Sequence, residues 1–221
     1  MGKKKNKDNI KCLFNFDYDE MKELVEDILH IKNWFVRKID VSNRTESICK
    51  TDRFIFLEEL AREKDIYFDQ REIVTWLDSL TILYYVFDKI KDIHLRDKIS
   101  IIQEYCIPYT NKRADYLLIY DNKILIIEFS FNKLGYELQY ETKLQQAIGY
   151  KELLSNILPK EIDIGTYTFL IEPEEDENGK TIKIKNTEYL PNHYKIQDLA
   201  RFIEKFFNKN INLALNSLEQ L

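Results

Sequence analysis

Glycine is scarce, at 5 of 221 residues. No Gly-rich phosphate loop and no Gly-x-Ser-x-Gly turn occurs, which excludes nucleotide-driven motor chemistry and a serine-hydrolase elbow. Proline is sparser still, at 4, and no Pro/Gly/Ser-rich tract marks a hinge. The 3 cysteines, Cys12, Cys49 and Cys106, lie far apart without metal-ligand spacing. They fit reduced thiols of a cytoplasmic protein better than a disulfide framework. His30, His94 and His193 are scattered, none at i,i+4 from another ligand, so a histidine-based metal site is not indicated. A basic surplus is also missing. The net charge of −5 does not announce nucleic-acid binding, although local patches decide that more than the sum. No apolar run approaches a membrane span, and Met1-Gly2-Lys3-Lys4-Lys5 has no apolar segment behind it. A soluble, cytoplasmic chain with no membrane partner is expected.

What remains is globular. With 44% hydrophobic and 13% aromatic residues the chain can bury a full core, as one domain or as a core domain with a helical extension. Residues 1–12 read as a disordered basic leader, 13–65 as a helical extension, and 66–221 as the main domain. Helical periodicity covers Asp19 to Lys38, Asp52 to Lys64, Gln70 to Ile93, Glu137 to Asn156 and Ile196 to Phe207. Within the third of these, Tyr84, Tyr85 and Phe87 read as core. Strands are expected over Ile99 to Ile107, 112–120, 124–130 and Ile162 to Ile171. An acidic turn from Glu172 to Gly179 and a short edge strand from Thr181 to Lys185 follow. Three antiparallel strands, a helix and a crossover strand give an α/β fold with a mixed central sheet flanked by helices.

Two acids disturb the central hairpin. Leu117 to Tyr120 and Ile124 to Ile127 are too continuously apolar for solvated strands, so the hairpin belongs mid-sheet. Asp115 and Glu128 take matching places on its two arms. A carboxylate there costs desolvation energy, and two of them repel; a divalent cation removes both problems. On the following helix Lys143, Gln146 and Tyr150 share one face. Upstream stand Trp76-Leu77-Asp78-Ser79-Leu80, Gln103-Glu104-Tyr105-Cys106-Ile107-Pro108 and Lys112-Arg113-Ala114-Asp115.

In that order these pieces resemble the PD-(D/E)xK nuclease superfamily, and within it the nuclease-like domain found at the front of certain bacterial helicase-like proteins. The resemblance spans roughly residues 71 to 172. It implies a restriction-endonuclease-like fold and hydrolysis of phosphodiester bonds with Mg²⁺ or Mn²⁺. Asp115, Glu128 and the backbone carbonyl of Phe129 would hold the metal, with Gln146 and Tyr150 supporting the site. Implied partners are nucleic acid, with DNA favoured, and a separate helicase or ATPase.

The chain departs from that pattern where the superfamily has its Lys, for Ser130 stands there. Serine supplies no positive charge to a phosphoryl-transfer site. Either the cation has moved, to Lys143 or to Lys133, or the site has stopped cutting and the chain is a binding or interaction subunit. Lys143 also reads as an ordinary helix-surface lysine paired with a nearby Glu. Glu104 either approaches the site or pairs with Arg113, and Glu58-Glu59 reads as a solvated helical face that the superfamily pattern would let reach the metal.

Overall fold

The computed structural model describes residues 11–29, 52–131, 136–171 and 193–218. Five strands form one sheet: β1 (Phe14–Phe16), β2 (Ser100–Cys106), β3 (Arg113–Tyr120), β4 (Lys123–Phe131) and β5 (Asp163–Ile171), in that spatial order. The first four run antiparallel to their neighbours, and β5 joins β4 in parallel. The helices are α1 (Tyr18–Leu29), α2 (Asp52–Glu63), α3 (Gln70–Asp88), α4 (Ile93–Arg96), α5 (Tyr136–Ile157) and α6 (His193–Leu218). The expected α/β architecture with a mixed sheet flanked by helices is present. The order helix, three strands, helix, crossover strand also holds.

The strand sequences dictate this layering. In Ile124-Leu125-Ile126-Ile127 successive side chains point to opposite faces, and all four are buried, so both faces must be covered. Leu125 and Ile127 face a large core containing Met21, Leu80, Leu83, Phe87, Leu199 and Ile203, from α1, α3 and α6. Ile124 and Ile126 face a smaller core with Leu117, Ile164, Tyr150 and Leu154, which α5 closes. The site described below lies on this second face.

Four expectations need correction. The segment 13–65 is not solely helical, because Phe14–Phe16 is a sheet strand, and Leu13, Met21 and Leu57 share the main core. A three-residue strand has too little periodicity to be seen in sequence. Cys12, assigned to the leader, is buried, and the Lys11 carbonyl accepts from the Cys106 amide. The third helix ends at Asp88 rather than Ile93. Asp92 caps a new helix through the Leu95 amide, and Glu204 accepts from the Lys91 and Asp92 amides that the break frees. The last helix extends beyond 196–207 at both ends, to His193 and Leu218. Residues 1–10 and 30–38, Lys133, Cys49, His30, the acidic turn and the 181–185 strand lie outside the described residues. Among the described residues no helix is long and apolar enough to cross a membrane.

Gly165 on β5 is fixed by a close approach. A Cβ there would come within 2.6 Å of the Phe206 ring, which stacks on Phe202 and packs edge-on against Phe207. Gly165→Ala is expected to lower stability by roughly 1–3 kcal/mol, read as a lower urea midpoint with an unchanged slope.

Candidate active site

The strand register puts the acids in a row. Glu104 falls opposite Asp115, between the pairs Gln103↔Tyr116 and Tyr105↔Ala114. The β3–β4 ladder stops at Tyr116↔Ile127, one step short of Asp115 and Glu128. Glu128 pairs in turn with Thr168 of β5. Glu104, Asp115, Glu128 and Thr168 therefore occupy one level across four strands.

The backbone opens at this level, and the carboxylates take over its hydrogen bonds. Glu128 Oε1 accepts from the Asp115 amide at 3.0 Å, and Asp115 Oδ2 accepts from the Phe129 amide at 2.8 Å. Each acid caps the opposite strand where a carbonyl would otherwise sit. Glu104 adopts a left-handed φ of 53°, a conformation that costs a non-glycine residue about 1–3 kcal/mol. Thr168 Oγ1 is buried without a hydrogen-bond partner among the described residues.

The Lys143 ammonium reaches the two acids from α5. Its Nζ lies 2.7 Å from Glu128 Oε2 and 3.1 and 3.3 Å from the Asp115 oxygens. The helix-surface reading of Lys143 is thereby overturned, since its partners are the half-buried Asp115 and the buried Glu128 and not a helical Glu. Glu128 is fully buried, and its carboxyl is pushed up to about 7, by burial first and then by the Asp115 charge, against the pull of Lys143. Burial pulls the Lys143 ammonium down, but the two carboxylates outweigh it and hold it above an ordinary lysine.

Asp115 and Lys143 line an open cleft of about 680 Å³, with Glu128 buried just behind them. Ser130, Gln146 and Tyr150 also line it, so all three α5 residues expected on one face do face the site. Ser130 is buried on the same side of β4 as Glu128 and brings no charge. Gln146 is exposed toward the cleft, whereas Tyr150 is buried, with its hydroxyl pushed up to about 12 by burial and the Glu128 charge. Phe129 turns its ring to the opposite core, against Tyr116 and Phe169, so its main chain is the part nearest the acids.

Glu104 both lines the cleft and pairs with Arg113, at 3.3 Å. Burial first, and then the Asp115 charge, raise the Glu104 carboxyl well above the usual range. Arg113 also bonds Glu72 at 2.8 Å, so α3 supplies an acid to this wall that the sequence reading did not single out. Glu58, by contrast, pairs with Arg62 on α2, away from the cleft.

Behind the acids lies a buried polar cluster. Gln103 Nε2 donates to Tyr116 Oη at 2.8 Å and to the Trp76 carbonyl at 3.2 Å. Ser79 Oγ is 3.1 Å from the same Tyr116 Oη and donates to Trp76. The Trp-x-x-Ser spacing thus has a physical role, tying α3 to the strand residue beside Asp115.

Glu128 gives a pH prediction. A carboxyl with a raised folded-state pKa stabilises the fold fully only below its unfolded value, and that contribution is lost as pH rises through the folded pKa. The window here runs from 4.5 to about 7. The thermal midpoint of the metal-free protein, relative to that of Glu128→Gln, is expected to fall across this window in differential scanning fluorimetry. A constant difference contradicts the assignment.

Among the described residues, no three His, Cys, Asp or Glu side chains gather as a metal cage. No protein-family model and no curated protein matches the chain.

Proposed function

We propose that the chain is a metal-dependent nuclease with a restriction-endonuclease-like core, in which Lys143 supplies the cation that Ser130 does not. The observation that carries this reading is the Lys143 ammonium, 2.7 Å from Glu128 and 3.1 Å from Asp115. A positive charge already occupies the gap between two hard carboxylates.

The donor set fits Mg²⁺ or Mn²⁺. Such ions are held by one or two carboxylates and complete their shells with water and substrate phosphate, so a third protein acid is not required. Asp115 and Glu128 would hold the ion, with the main chain at Phe129 beside them. Bound there, the metal supplies a lowered water pKa and neutralises charge on the phosphate. Lys143 offsets charge that grows on the phosphate oxygens, from a position already fixed by its bonds to Asp115 and Glu128. Gln146, with one acceptor and two donors, orients a water or a phosphate oxygen. Tyr150 stays protonated at neutral pH and donates from its hydroxyl. Glu104, paired with Arg113, sets the charge of the cleft wall rather than ligating.

DNA is the favoured substrate, and action beside a separate helicase or ATPase goes with the same reading. The test is incubation with linear, circular and single-stranded DNA and with RNA, in Mg²⁺, Mn²⁺ and EDTA. Asp115→Asn, purified in parallel, is the control. Cleavage that needs metal and is lost in the variant is expected. A second reading rests on the same ion pair: with Lys143 already neutralising the acids, the fold can persist as a binding subunit without cutting. Nucleic-acid binding with no cleavage in any metal would select it.

A further inference from the structure

Two exposed tyrosines stand next to residues that line the cleft, and the backbone that carries each is pinned. Tyr109 is 99% and Tyr67 90% exposed, whereas the next most exposed large hydrophobic among the described residues, Ile93, is at 57%. Neither exposure comes from a loose segment. Tyr109 sits in the β2–β3 turn with a left-handed φ of 62°. That turn is closed by the Ile107 amide on the Lys112 carbonyl and the Thr110 amide on the Ile107 carbonyl, and Thr110 Oγ1 bonds both Ile107 and Lys112. The next residues, Asn111 and Lys112, line the cleft. Tyr67 lies between buried Ile66 and Phe68, which packs on Trp76. Its carbonyl accepts from Arg113 at 2.8 Å, and Arg113 itself lines the cleft.

A large ring left in water on a fixed backbone contributes nothing to the core. With the backbone already ordered, a stacking partner has only the two side-chain torsions of each tyrosine to immobilise, a small entropy cost for so large a contact. Nucleobases are such partners, but only when unstacked from a duplex, and base–aromatic stacking is tolerant of sequence. We infer that Tyr67 and Tyr109 form a stacking platform for single-stranded nucleic acid entering the cleft, with Lys112 beside it meeting the phosphate backbone. This rests on the nuclease reading of the site and narrows its substrate to unpaired strands or splayed ends.

The test is fluorescence anisotropy in EDTA, with the full chain and labelled single-stranded DNA, single-stranded RNA and blunt duplex of one length. Single strands are expected to bind more tightly than duplex. Tyr67→Ala and Tyr109→Ala should each weaken single-strand binding by roughly 5- to 150-fold, while Tyr→Trp at either position retains it. Duplex binding and thermal midpoint should not move, because both rings are outside the core. Unchanged single-strand affinity in Tyr67→Ala/Tyr109→Ala, or a preference for duplex, overturns the platform and leaves the nuclease reading standing. Tyrosine-dependent strand binding without cleavage keeps the platform and removes the nuclease. No binding to any strand overturns the platform, and cleavage measured separately then decides the nuclease.

Discussion

Lys143→Met is expected to lower cleavage by about 10²- to 10³-fold, the effect of removing one preorganised charge from such a site. The same substitution should tighten Mn²⁺ binding. In the metal-free protein the ammonium bonds Glu128 Oε2 and both Asp115 oxygens, so an incoming ion must compete with it. Hydrogen bonds between charged groups contribute roughly 1.5–3 kcal/mol, which corresponds to about 10- to 150-fold in metal affinity. Opposite signs for rate and metal affinity separate a catalytic cation from a merely structural one. The fold should weaken by about 1–3 kcal/mol at pH 8, where the wild-type Glu128 carboxylate bonds the ammonium and the variant's carboxyl, no longer held down by it, must keep its proton or go unpaired, and by less at pH 6. Adding Ser130→Lys to that variant returns a charge to the Glu128 side of β4 and should recover part of the rate. A Lys143→Met protein that cuts as well as wild type would remove the cation from the helix.

Asp115→Ala and Glu128→Ala are each expected to abolish cleavage and Mn²⁺ binding. Their structural costs differ from those of a plain charge removal, because both acids also cap backbone amides. Asp115→Ala leaves the Phe129 amide without its 2.8 Å acceptor, and Glu128→Ala leaves the Asp115 amide without its 3.0 Å acceptor. An unsatisfied buried donor costs about 1–3 kcal/mol. Relief of repulsion between the acids offsets part of this, so both variants should fold. Asp115→Asn and Glu128→Gln keep the capping oxygens and should restore stability without restoring cleavage. Their circular-dichroism melts, set beside the alanine melts, measure the capping contribution separately from the chemistry.

The hairpin was legible because its signal is local. Two continuously apolar strands, each interrupted by one acid at the same height, leave few alternatives for register. The i, i+3, i+7 spacing of Lys143, Gln146 and Tyr150 likewise predicted a shared helical face, and all three line the cleft. The Arg113 bridge to Glu72 was hidden for the opposite reason. Its partners are 41 residues apart, and nothing in a single sequence selects Glu72 from the other acids on its helix. The buried Gln103–Tyr116–Ser79 cluster was foreshadowed only as the Trp-x-x-Ser spacing, whose meaning needs the fold. β1 was missed because three residues carry no period. The break after Asp88 lay within an apolar run that looked continuous, and it depends on Glu204 from the far end of the chain.

Calorimetric titration of Mn²⁺ into the wild type and Asp115→Ala at pH 8 and pH 6 tests the metal site most directly. Wild type should bind one ion, more weakly at pH 6 because the Glu128 carboxyl, pushed up to about 7, must give up its proton. Asp115→Ala should show no binding at either pH. Equal binding by the two proteins, or none by wild type at pH 8, would contradict the assignment of Asp115, Glu128 and Lys143 as a metal-dependent hydrolytic site.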